Sequence, residues 1–296
     1  MTAKSDVGLK ARLERHIDEL PVLPMVIARL MSLDRAAPDY FDQVLKLIEG
    51  DPNLSARTLA SSNSAASAPR TPITTLRGAV TRVGSLTASN LVLALAVTRV
   101  FVPRDAWEKS LWRHALQVSV AARSLAVLCH DQDLSPEEVY AAALLHDVGR
   151  FVLFQEAPDQ LRRIDEGDWE CARELVEFER SICGMTHTEL GAMACAKWHL
   201  PEVVTAVVRD HHTVPTHPPH GKLEKMTALV RLADLAMFPS AMPGSPGLDQ
   251  ADDATMWNLL APKIPFFLKI DVAGMRAVLV ATVAEADATC RELGVA

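Results

Sequence analysis

An apolar segment with ionisable residues at its centre, YAAALLHDVGRFVL at 140–153, constrains the fold of this chain more than any other feature. Apart from His146, Asp147 and Arg150, all of its residues are apolar or glycine. Such a segment is typical of a buried helix, and a carboxylate in an apolar core is costly unless another group compensates its charge. The sequence therefore predicts that polar groups from elsewhere in the chain reach His146 and Asp147.

The composition favours an all-α fold. Hydrophobic residues make up 49% of the 296 residues but aromatic residues only 5%, and Ala, Leu and Val dominate, which suits helices better than strands. The helical pattern is broken at Val102-Pro103-Arg104 and at PSAMPGSPGLDQ, residues 239–250. We therefore predict a helical part over 1–104, a helical part that carries the candidate site over 105–240, and a linker with C-terminal helices over 241–296.

Charge and hydropathy argue against several classes of partner. The net charge is −7, so the chain has no general attraction for nucleic acid or for an anionic membrane. The segment 84–100 resembles the second helix of a helix-turn-helix in length, but its only basic residue is Arg99, so it cannot read phosphates or bases. The longest apolar runs, such as LVLALAV at 91–97, are shorter than the roughly 20 residues of a membrane span. With no signal-peptide core and five cysteines without a CxxC pair, we expect a soluble cytoplasmic protein.

Polar residues recur on the apolar faces of other predicted helices. His114 lies on the face of a helix over 106–129 that also carries Leu111, Val118 and Leu125. In the helix predicted over 201–212, a pair of histidines continues a series of valine pairs. In the helix predicted over 222–238, an aspartate lies among methionines and a valine, and a further histidine opens the helix that starts at 187. The inward residues on these helices are His114, His187, His211, His212 and Asp234.

Each of these residues has an ordinary interpretation on its own. A histidine on an apolar face is usually a core residue hydrogen-bonded to a carbonyl group, and Asp234 could cap a helix or pair with an arginine. Under this interpretation the chain is a metal-free structural scaffold. Five histidines and two aspartates at inward positions are better explained together by one or two divalent metal ions, which bind neutral imidazole and carboxylate. The histidines at helix ends, in turns or in the loop 214–222 are poorer candidates: His16, His130, His199, His217 and His220.

The inward residues resemble a known signature. His114, His146-Asp147 and Asp234 are similar to the H…HD…D motif of the HD superfamily of metal-dependent phosphohydrolases. The other three histidines are similar to the additional ligands of its two-metal members, which include the HD-GYP phosphodiesterases. A fuller resemblance, over about residues 13–238, is to the HDOD domain (HD-related output domain) of bacterial signalling proteins. It is carried by LPVLP at 20–24, DPNLSARTLASSNSA at 51–65, LLHDVGRFVL at 144–153 and HTELGAMACAKWHLPEVVTAVVRDHH at 187–212.

The resemblance implies a multi-helix HD-like bundle preceded by an N-terminal helical subdomain. It also implies one or two divalent metal ions (Fe, Mn, Zn, Ni or Mg) bound by these same inward residues. We expect two points of convergence. The first comprises His114, His146, Asp147 and Asp234, and the second comprises His187, His211 and His212.

The chain departs from the HD-GYP enzymes in two places. They carry a lysine after the HD motif, where this chain has Arg150, and a GYP-bearing segment beyond the paired histidines, where this chain reads HHTVPTHPPHGK. Arginine cannot donate a proton near neutral pH, although it can contact a phosphate group. The features that would supply substrate recognition and acid catalysis are therefore missing.

Two functions are compatible with this pattern. The first is a non-catalytic bacterial signalling module that acts through a protein partner, or through a nucleotide or phosphate ligand, with metal in its core. The second is a metal-dependent phosphohydrolase acting on a nucleotide or cyclic dinucleotide, in which Asp147 bridges the metals and Arg150 contacts phosphate. We favour the first, because the dinucleotide-contacting segment is missing and kinship of fold is weak support for chemistry. No receiver, GGDEF-like or sensor segment is recognisable, so we expect the input signal to come from elsewhere or through residues 251–296.

Overall fold

The secondary structure is helical throughout the described part of the chain. The computed structural model describes residues 7–21, 25–63, 69, 71–129, 131, 133–169, 171–241, 252–260 and 272–295, and within them there are helices, turns and bends but no strand. The predicted all-α class is confirmed. Two compact units make up the chain. The larger comprises Met1–Leu20, Pro103–Cys290 and Ala296, and the smaller comprises Pro21–Val102 and Arg291–Val295.

The helices of the described residues are, in chain order, α1 (Val7–Glu19), α2 (Met25–Ser32), α3 (Tyr40–Glu49), α4 (Pro52–Ser62), α5 (Leu76–Val83), α6 (Ser85–Val100), α7 (Ala106–Leu128), α8 (Pro136–Leu145), α9 (Val148–Glu156), α10 (Pro158–Asp165), α11 (Ala172–Cys183), α12 (His187–Lys197), α13 (Glu202–Asp210), α14 (Gly221–Ala241), α15 (Asp253–Leu260) and α16 (Val272–Leu293). None of them is, on its own, long and apolar enough to cross a membrane. Helices α5 and α6, which are bent by 104° at the break between them, reach that length and composition only when they are taken together.

The smaller unit is formed by short helices around the buried helix α6. Residues 88–97 of α6 are all buried, as expected for the apolar run in the sequence. Asp51 caps the N-terminus of α4: its carboxylate accepts hydrogen bonds from the backbone of Asn53 and Leu54 and pairs with Arg99 at 2.6 Å. The hydrogen bond from Arg99 lowers the pKa of Asp51 to about 2.

Helix α7 is the longest helix of the larger unit and has the most extensive packing there. It packs against α8 and α14, while α12 packs against α9 and α13, and α1 packs against α9 and α12. The side chain of Asp105 caps α7 by accepting a hydrogen bond from the backbone of Glu108 at 2.8 Å. The faces that these helices turn to one another carry the candidate site.

A turn at His146 and Asp147 interrupts the helix and separates α8 from α9. The apolar pattern of the sequence predicts one continuous helix over 136–149, and this prediction is wrong at its C-terminal end, because α8 ends at Leu145. Asp147 precedes the first residue of α9 with φ −100° and ψ 17°, and its side chain accepts no hydrogen bond from the backbone of that helix. The break leaves the carboxylate of Asp147 available to other side chains.

Helix capping agrees with the sequence at one of two positions. Thr186 and Glu189 have the spacing that predicts a capping box at the start of α12, and the structure confirms it. The segment Ser135-Pro-Glu-Glu138 predicts a second capping box, and this prediction is wrong: the Ser135 hydroxyl turns to the carboxylate of Glu137 at 3.5 Å and does not cap α8. Most of the linker predicted over 239–250 lies outside the described residues, and so does His130.

Two glycines allow α9, α12 and α13 to approach one another closely. A Cβ atom on Gly149 would lie 1.9 Å from the backbone oxygen of His187, and one on Gly191 would lie 2.7 Å from a side-chain carbon of Val208. No residue other than glycine fits at 149 without moving α12. This approach holds the first turn of α12, with His187, against the start of α9 that follows Asp147.

Candidate metal centre

The carboxylate of Asp147 lies between two groups of histidines. Its Oδ1 atom is 3.3 Å from Nε2 of His187 and 3.6 Å from Nε2 of His211. Its Oδ2 atom is 3.6 Å from Nε2 of His146 and 3.9 Å from Nε2 of His114. One carboxylate therefore turns one oxygen atom to each group, which is the geometry of a bridging ligand.

The described residues contain two sets of side chains that could hold a metal ion. Within each set, all ligand atoms lie within 4.8 Å of one another. One set is His114, His146 and Asp234, and the other is Asp147, His187, His211 and His212. In the first set Nε2 of His114 lies 3.1 Å from Oδ1 of Asp234. The seven residues proposed from the sequence thus meet in one region of the larger unit, with Asp147 at the junction of the two sets.

Each helix contributes its site residues near an end or on a buried face. Helix α7 carries His114 and α14 carries Asp234, both on packed faces, and the break between α8 and α9 supplies His146 and Asp147. Helix α12 begins at His187, and the paired histidines 211 and 212 follow the last turn of α13. His146, His187 and His211 have fully buried side chains, while the remaining members are 9–13% exposed. The site is therefore closed on one side and reaches solvent on the other.

The buried histidines are held so that the same ring nitrogen faces inward. Nδ1 of His146 donates a hydrogen bond to the carbonyl oxygen of Ala143 at 2.7 Å, and Nδ1 of His211 donates to that of Val208 at 2.8 Å. With the proton on Nδ1, each ring directs the lone pair of Nε2 toward the site, as metal-binding histidines do. Neutral Nε2 atoms of His187 and His211 then face each other at 3.4 Å, where their lone pairs repel unless a cation or a proton lies between them.

Unsatisfied buried atoms support the same interpretation. Nε2 of His146 and Oδ1 of Asp147 are fully buried, and neither has a hydrogen-bond partner among the described residues. Buried polar atoms are nearly always satisfied in native proteins, so these two require an additional partner. Nitrogen and carboxylate oxygen are suitable donors for Zn, Fe, Mn or Ni, and the residues present therefore fit a divalent ion.

The electrostatics keep the carboxylates charged. Although burial favours the neutral acid, His146, His211 and His187 hold the pKa of Asp147 well below its usual range. Burial lowers the pKa of His212 well below its usual range, and the neighbouring His211 lowers it further. A metal ion needs ionised aspartate and neutral histidine, so it would find Asp147 and His212 ready but would have to displace a proton from His146 and His187, whose pKa values the neighbouring carboxylates raise despite burial.

Glu179 belongs to the site although the sequence did not point to it. Its side chain is fully buried, and its carboxylate accepts hydrogen bonds from the backbone N of His187 at 2.9 Å and from Nδ1 at 2.7 Å. The available signal was its spacing, because Leu175, Glu179 and Cys183 follow one another at four-residue steps on the buried face of α11. The carboxylate fixes the ring of His187 with Nε2 toward the site, as outer carboxylates do in metal proteins.

Arg150 is enclosed by carboxylates. Nη2 donates a hydrogen bond to Oδ1 of Asp165, Nη1 lies 3.7 Å from Glu179, and Nε lies 3.9 Å from Asp147. Burial disfavours the charged guanidinium, but Asp165, Asp147 and Glu179 outweigh it and raise the pKa of Arg150. The residue predicted to contact phosphate is therefore an internal counter-ion in this structure, with all three nitrogen atoms directed at acids.

The remaining described histidines lie outside the two sets. His16 contacts Gln155 at 3.1 Å, His217 donates to a neighbouring carbonyl in the exposed loop, and His220 is exposed beside it. His199 has a positive φ of 53° in the turn between α12 and α13. These positions agree with their exclusion from the predicted ligand set.

Comparisons with known proteins agree with the fold. The sequence model of the HDOD domain matches residues 20–214. An uncharacterized protein of Treponema pallidum (strain Nichols) is 30% identical over 217 residues, which are 72% of this chain and 42% of that protein, so the chain spans less than half the length of this relative.

Three solved structures share the architecture. An HDOD domain protein from Geobacter sulfurreducens is 23% identical with a TM-score of 0.70, covering 97% of this chain and 99% of its own. A protein from Shewanella amazonensis SB2B, provisionally named a phosphohydrolase, is 24% identical with a TM-score of 0.67, covering 96% and 98%. A protein from Marinobacter aquaeolei VT8, provisionally named a signal transduction protein, is 20% identical with a TM-score of 0.67, covering 96% and 61%.

Proposed function

The chain belongs to the HDOD domain family, and from this membership we propose that it is a signalling module whose core holds one or two divalent metal ions and that acts by binding. The single observation that carries the proposal is the position of Asp147, whose two oxygen atoms face two sets of histidines. In the metal-free chain, protonated His146 and the nearby Arg150 offset the charge of Asp147; once the histidines are neutral, as metal ligands must be, that charge needs further compensation. A divalent ion on either side of Asp147 would provide it.

The proposed ligands follow from the geometry. His114, His146 and Asp234 would hold one ion, and His187, His211 and His212 would hold the other, with Asp147 shared between them. Imidazole-rich sets favour Zn, Fe, Ni or Mn over Mg, because Mg²⁺ prefers oxygen. The ions would supply Lewis-acid activation when bound. The chain itself orients the rings, through Ala143, Val208 and Glu179, and keeps the carboxylates ionised.

Binding is favoured over turnover by the surroundings of the site. Arg150 stands where a lysine follows the HD motif in the related enzymes, and carboxylates surround it on three sides. A substrate phosphate would have to displace these acids before it reached the guanidinium. The loop 214–220 after the paired histidines supplies prolines and exposed histidines in place of a dinucleotide-contacting segment.

A metal-dependent phosphohydrolase is the second candidate function, and the complete donor set favours it. Nothing among the seven candidate ligands is missing or turned away from the site. The substrate would be a nucleotide or cyclic dinucleotide. In this case the residues of the chain would hold the phosphate group at the open side of the site, next to Asp147 and Asp234, which are 13% and 9% exposed.

We further propose a bacterial signalling protein as partner, in keeping with the family. A cytoplasmic location is supported by the cysteines, since all five are free in the structure. The test of the proposed function is elemental analysis of the purified protein, followed by a phosphodiesterase screen with the metal that is found. We expect one or two equivalents of metal and turnover below about 1 s⁻¹, the lower end of the ordinary enzyme range. Faster turnover would establish the hydrolase instead, and absence of metal after reconstitution would disprove the metal centre.

A further inference from the structure

Arg231 on α14 is a buried arginine in which two of the three guanidinium nitrogen atoms lack a hydrogen-bond partner. The residue is 7% exposed, and its Nε and Nη1 atoms are fully buried with no acceptor among the described residues. Buried charges in native proteins are paired or bound to ions, because their hydration is lost. Arg231 therefore requires an anionic partner that the described part of the chain does not provide by direct contact.

Gln117 on α7 presents the same feature at the same level of the bundle. It is fully buried, and both its Oε1 and its Nε2 lack a hydrogen-bond partner. Helices α7 and α14 run antiparallel: His114 contacts Asp234, and Lys225 near the start of α14 pairs at 2.6 Å with Asp131, which follows the end of α7. Gln117 is three residues after His114 and Arg231 is three residues before Asp234. Residues three apart share a helix face, so the register sets Gln117 opposite Arg231.

A third unsatisfied group belongs to His114, one helical turn before Gln117 on α7. Nδ1 of His114 is fully buried without a partner, while Nε2 of the same ring faces Asp234 at 3.1 Å. When Nε2 binds a metal ion, the ring proton resides on Nδ1, which then becomes a hydrogen-bond donor. Donors of Arg231, Gln117 and His114 thus occupy adjacent turns of two packed helices.

Asp234 does not satisfy Arg231. It is the one carboxylate with a resolved electrostatic effect on the guanidinium, yet the two residues form no hydrogen bond. Burial lowers the pKa of Arg231, and Asp234 offsets this only in part. Oδ1 of Asp234 is engaged by His114, and a metal ion would engage the carboxylate further. Arg150 differs in this respect, because three acids surround it.

We propose that Arg231 and Gln117 form an anion site beside the metal centre and that it binds a phosphate group of the module's ligand. The guanidinium is a planar fork whose nitrogen atoms match a tetrahedral oxyanion, and the Gln117 amide adds a further donor. A water molecule would satisfy the hydrogen bonds but leave the charge of Arg231 offset only in part, by Asp234. The proposal rests on the proposed function only in taking that ligand to be a phosphate compound, free or within a nucleotide.

The experiment uses the full chain stripped of metal by a chelator, so that phosphate cannot bind through metal. Inorganic phosphate and a nucleoside monophosphate are titrated in separate arms at constant ionic strength, with NaCl as the reference salt, and melting temperature and calorimetric heat are recorded. We expect saturable binding by the wild type and at least tenfold weaker binding by Arg231→Gln. The matched control Arg209→Gln removes the same charge from an exposed ion pair and should bind as the wild type does. A response to the nucleotide alone identifies the source as a nucleotide, whereas a response to both identifies a general phosphate site.

A second variant decides the matter if Arg231→Gln does not fold. Gln117→Glu is nearly isosteric and places a carboxylate opposite Arg231, so it should raise the melting temperature in phosphate-free buffer and remove the phosphate response. Destabilisation of Gln117→Glu would overturn the assignment. The assignment would also be overturned if phosphate affected the wild type no more than NaCl does, or if Arg231→Gln and Arg209→Gln bound phosphate equally. Metal content is measured separately, so failure of this proposal is distinguishable from failure of the metal centre.

Discussion

Glu179 holds His187 through two hydrogen bonds, one from the backbone N at 2.9 Å and one from the ring Nδ1 at 2.7 Å. Both residues are fully buried, and they are eight positions apart on α11 and α12. A carboxylate that accepts from both groups of one histidine fixes the position of its backbone and the orientation of its ring together.

Glu179→Gln should therefore weaken metal binding without removing any ligand. The ring Nδ1 of His187 lies 2.8 Å from Oε1 and 2.7 Å from Oε2, so in the glutamine variant it would face an amide NH₂ on one side and would lose its charged acceptor. Loss of such outer partners typically costs about 10–100-fold in metal affinity. Competition with a chelator of known affinity measures the change, and Glu177→Gln, an exposed position on the same helix, is the control. Equal affinities for both variants would show that Glu179 does not orient a ligand.

Substitution of Asp147 should affect both metal positions at once. Asp147→Asn keeps the shape of the side chain but removes the shared charge, so metal content should fall even where folding survives. Asp147→Ala should melt lower than the metal-loaded wild type and should not respond to EDTA. A ligand at 100 times its Kd stabilises a protein by about 2.7 kcal/mol, which sets the scale of the effect. If the wild type melts at the same temperature with and without EDTA, no metal supports this fold.

Gly149→Ala should destabilise the larger unit. The new Cβ atom would lie 1.9 Å from the backbone oxygen of His187, so α9 and α12 must separate. Overpacking of this kind typically costs about 1–3 kcal/mol in the free energy of unfolding. Gly50→Ala is the control, because its Cβ would meet nothing closer than 3.5 Å and its φ of −70° suits alanine. Urea denaturation of both variants measures the difference, and similar losses would argue against the close approach.

Metal binding should strengthen as the pH rises toward 9. Burial opposes a charged imidazole, but Asp147 and Asp234 outweigh it and raise the pKa of His146 to about 9 in the metal-free chain. This proton stabilises the metal-free protein below about 6.5, the ordinary histidine pKa, and that contribution is lost as the pH rises through 9. A metal ion must displace the same proton. The difference in melting temperature between metal-loaded and chelated protein should therefore grow from pH 6.5 to 9. A difference that stays constant over this range would contradict the prediction.

Arg150→Lys should lower stability without creating an enzyme. A lysine ammonium cannot reach Asp165, Glu179 and Asp147 together as the guanidinium fork does. Loss of a hydrogen bond to a charged group costs about 1.5–3 kcal/mol, which chemical denaturation would detect. Turnover of cyclic di-GMP by the metal-loaded variant should stay below about 1 s⁻¹, as in the wild type. A gain of turnover above that rate would indicate that the arginine alone suppresses hydrolysis.

The helical periodicity of the sequence pointed to four of the seven candidate ligands. His114, Asp234 and the paired histidines were inferred from their places on apolar faces, and their ligand atoms lie together in the structure. The break at His146-Asp147 was not predicted, because nothing in the apolar run around it resembles a turn. Two residues beyond the break, Gly149 brings α9 against the backbone of His187, a tertiary contact that the local sequence does not reveal.

Glu179 and Arg231 show where a pattern of this kind is insufficient. Both are long charged side chains, which on a helix surface ordinarily extend into water. Glu179 occupies a buried position among exposed acidic and basic neighbours on α11, so its role depends on the helix that covers it. Arg231 lies in a mainly apolar stretch. That its Nε and Nη1 atoms lack an acceptor becomes apparent only when α7 and α14 are packed together.

The 120 residues that separate His114 from Asp234 have a consequence for how the chain folds. Closing a loop of that length carries an entropy cost that contacts within a local segment do not offset early in folding. Adjacent pairs excepted, the candidate ligands lie far apart in the unfolded chain, so a metal ion would find few of them together. Metal should therefore enter after the larger unit has assembled, unlike in a zinc finger, where it drives folding. Interactions absent from the transition state slow unfolding and leave refolding unchanged. A metal ion at this site would accordingly slow the unfolding of the native chain and leave its folding rate unchanged.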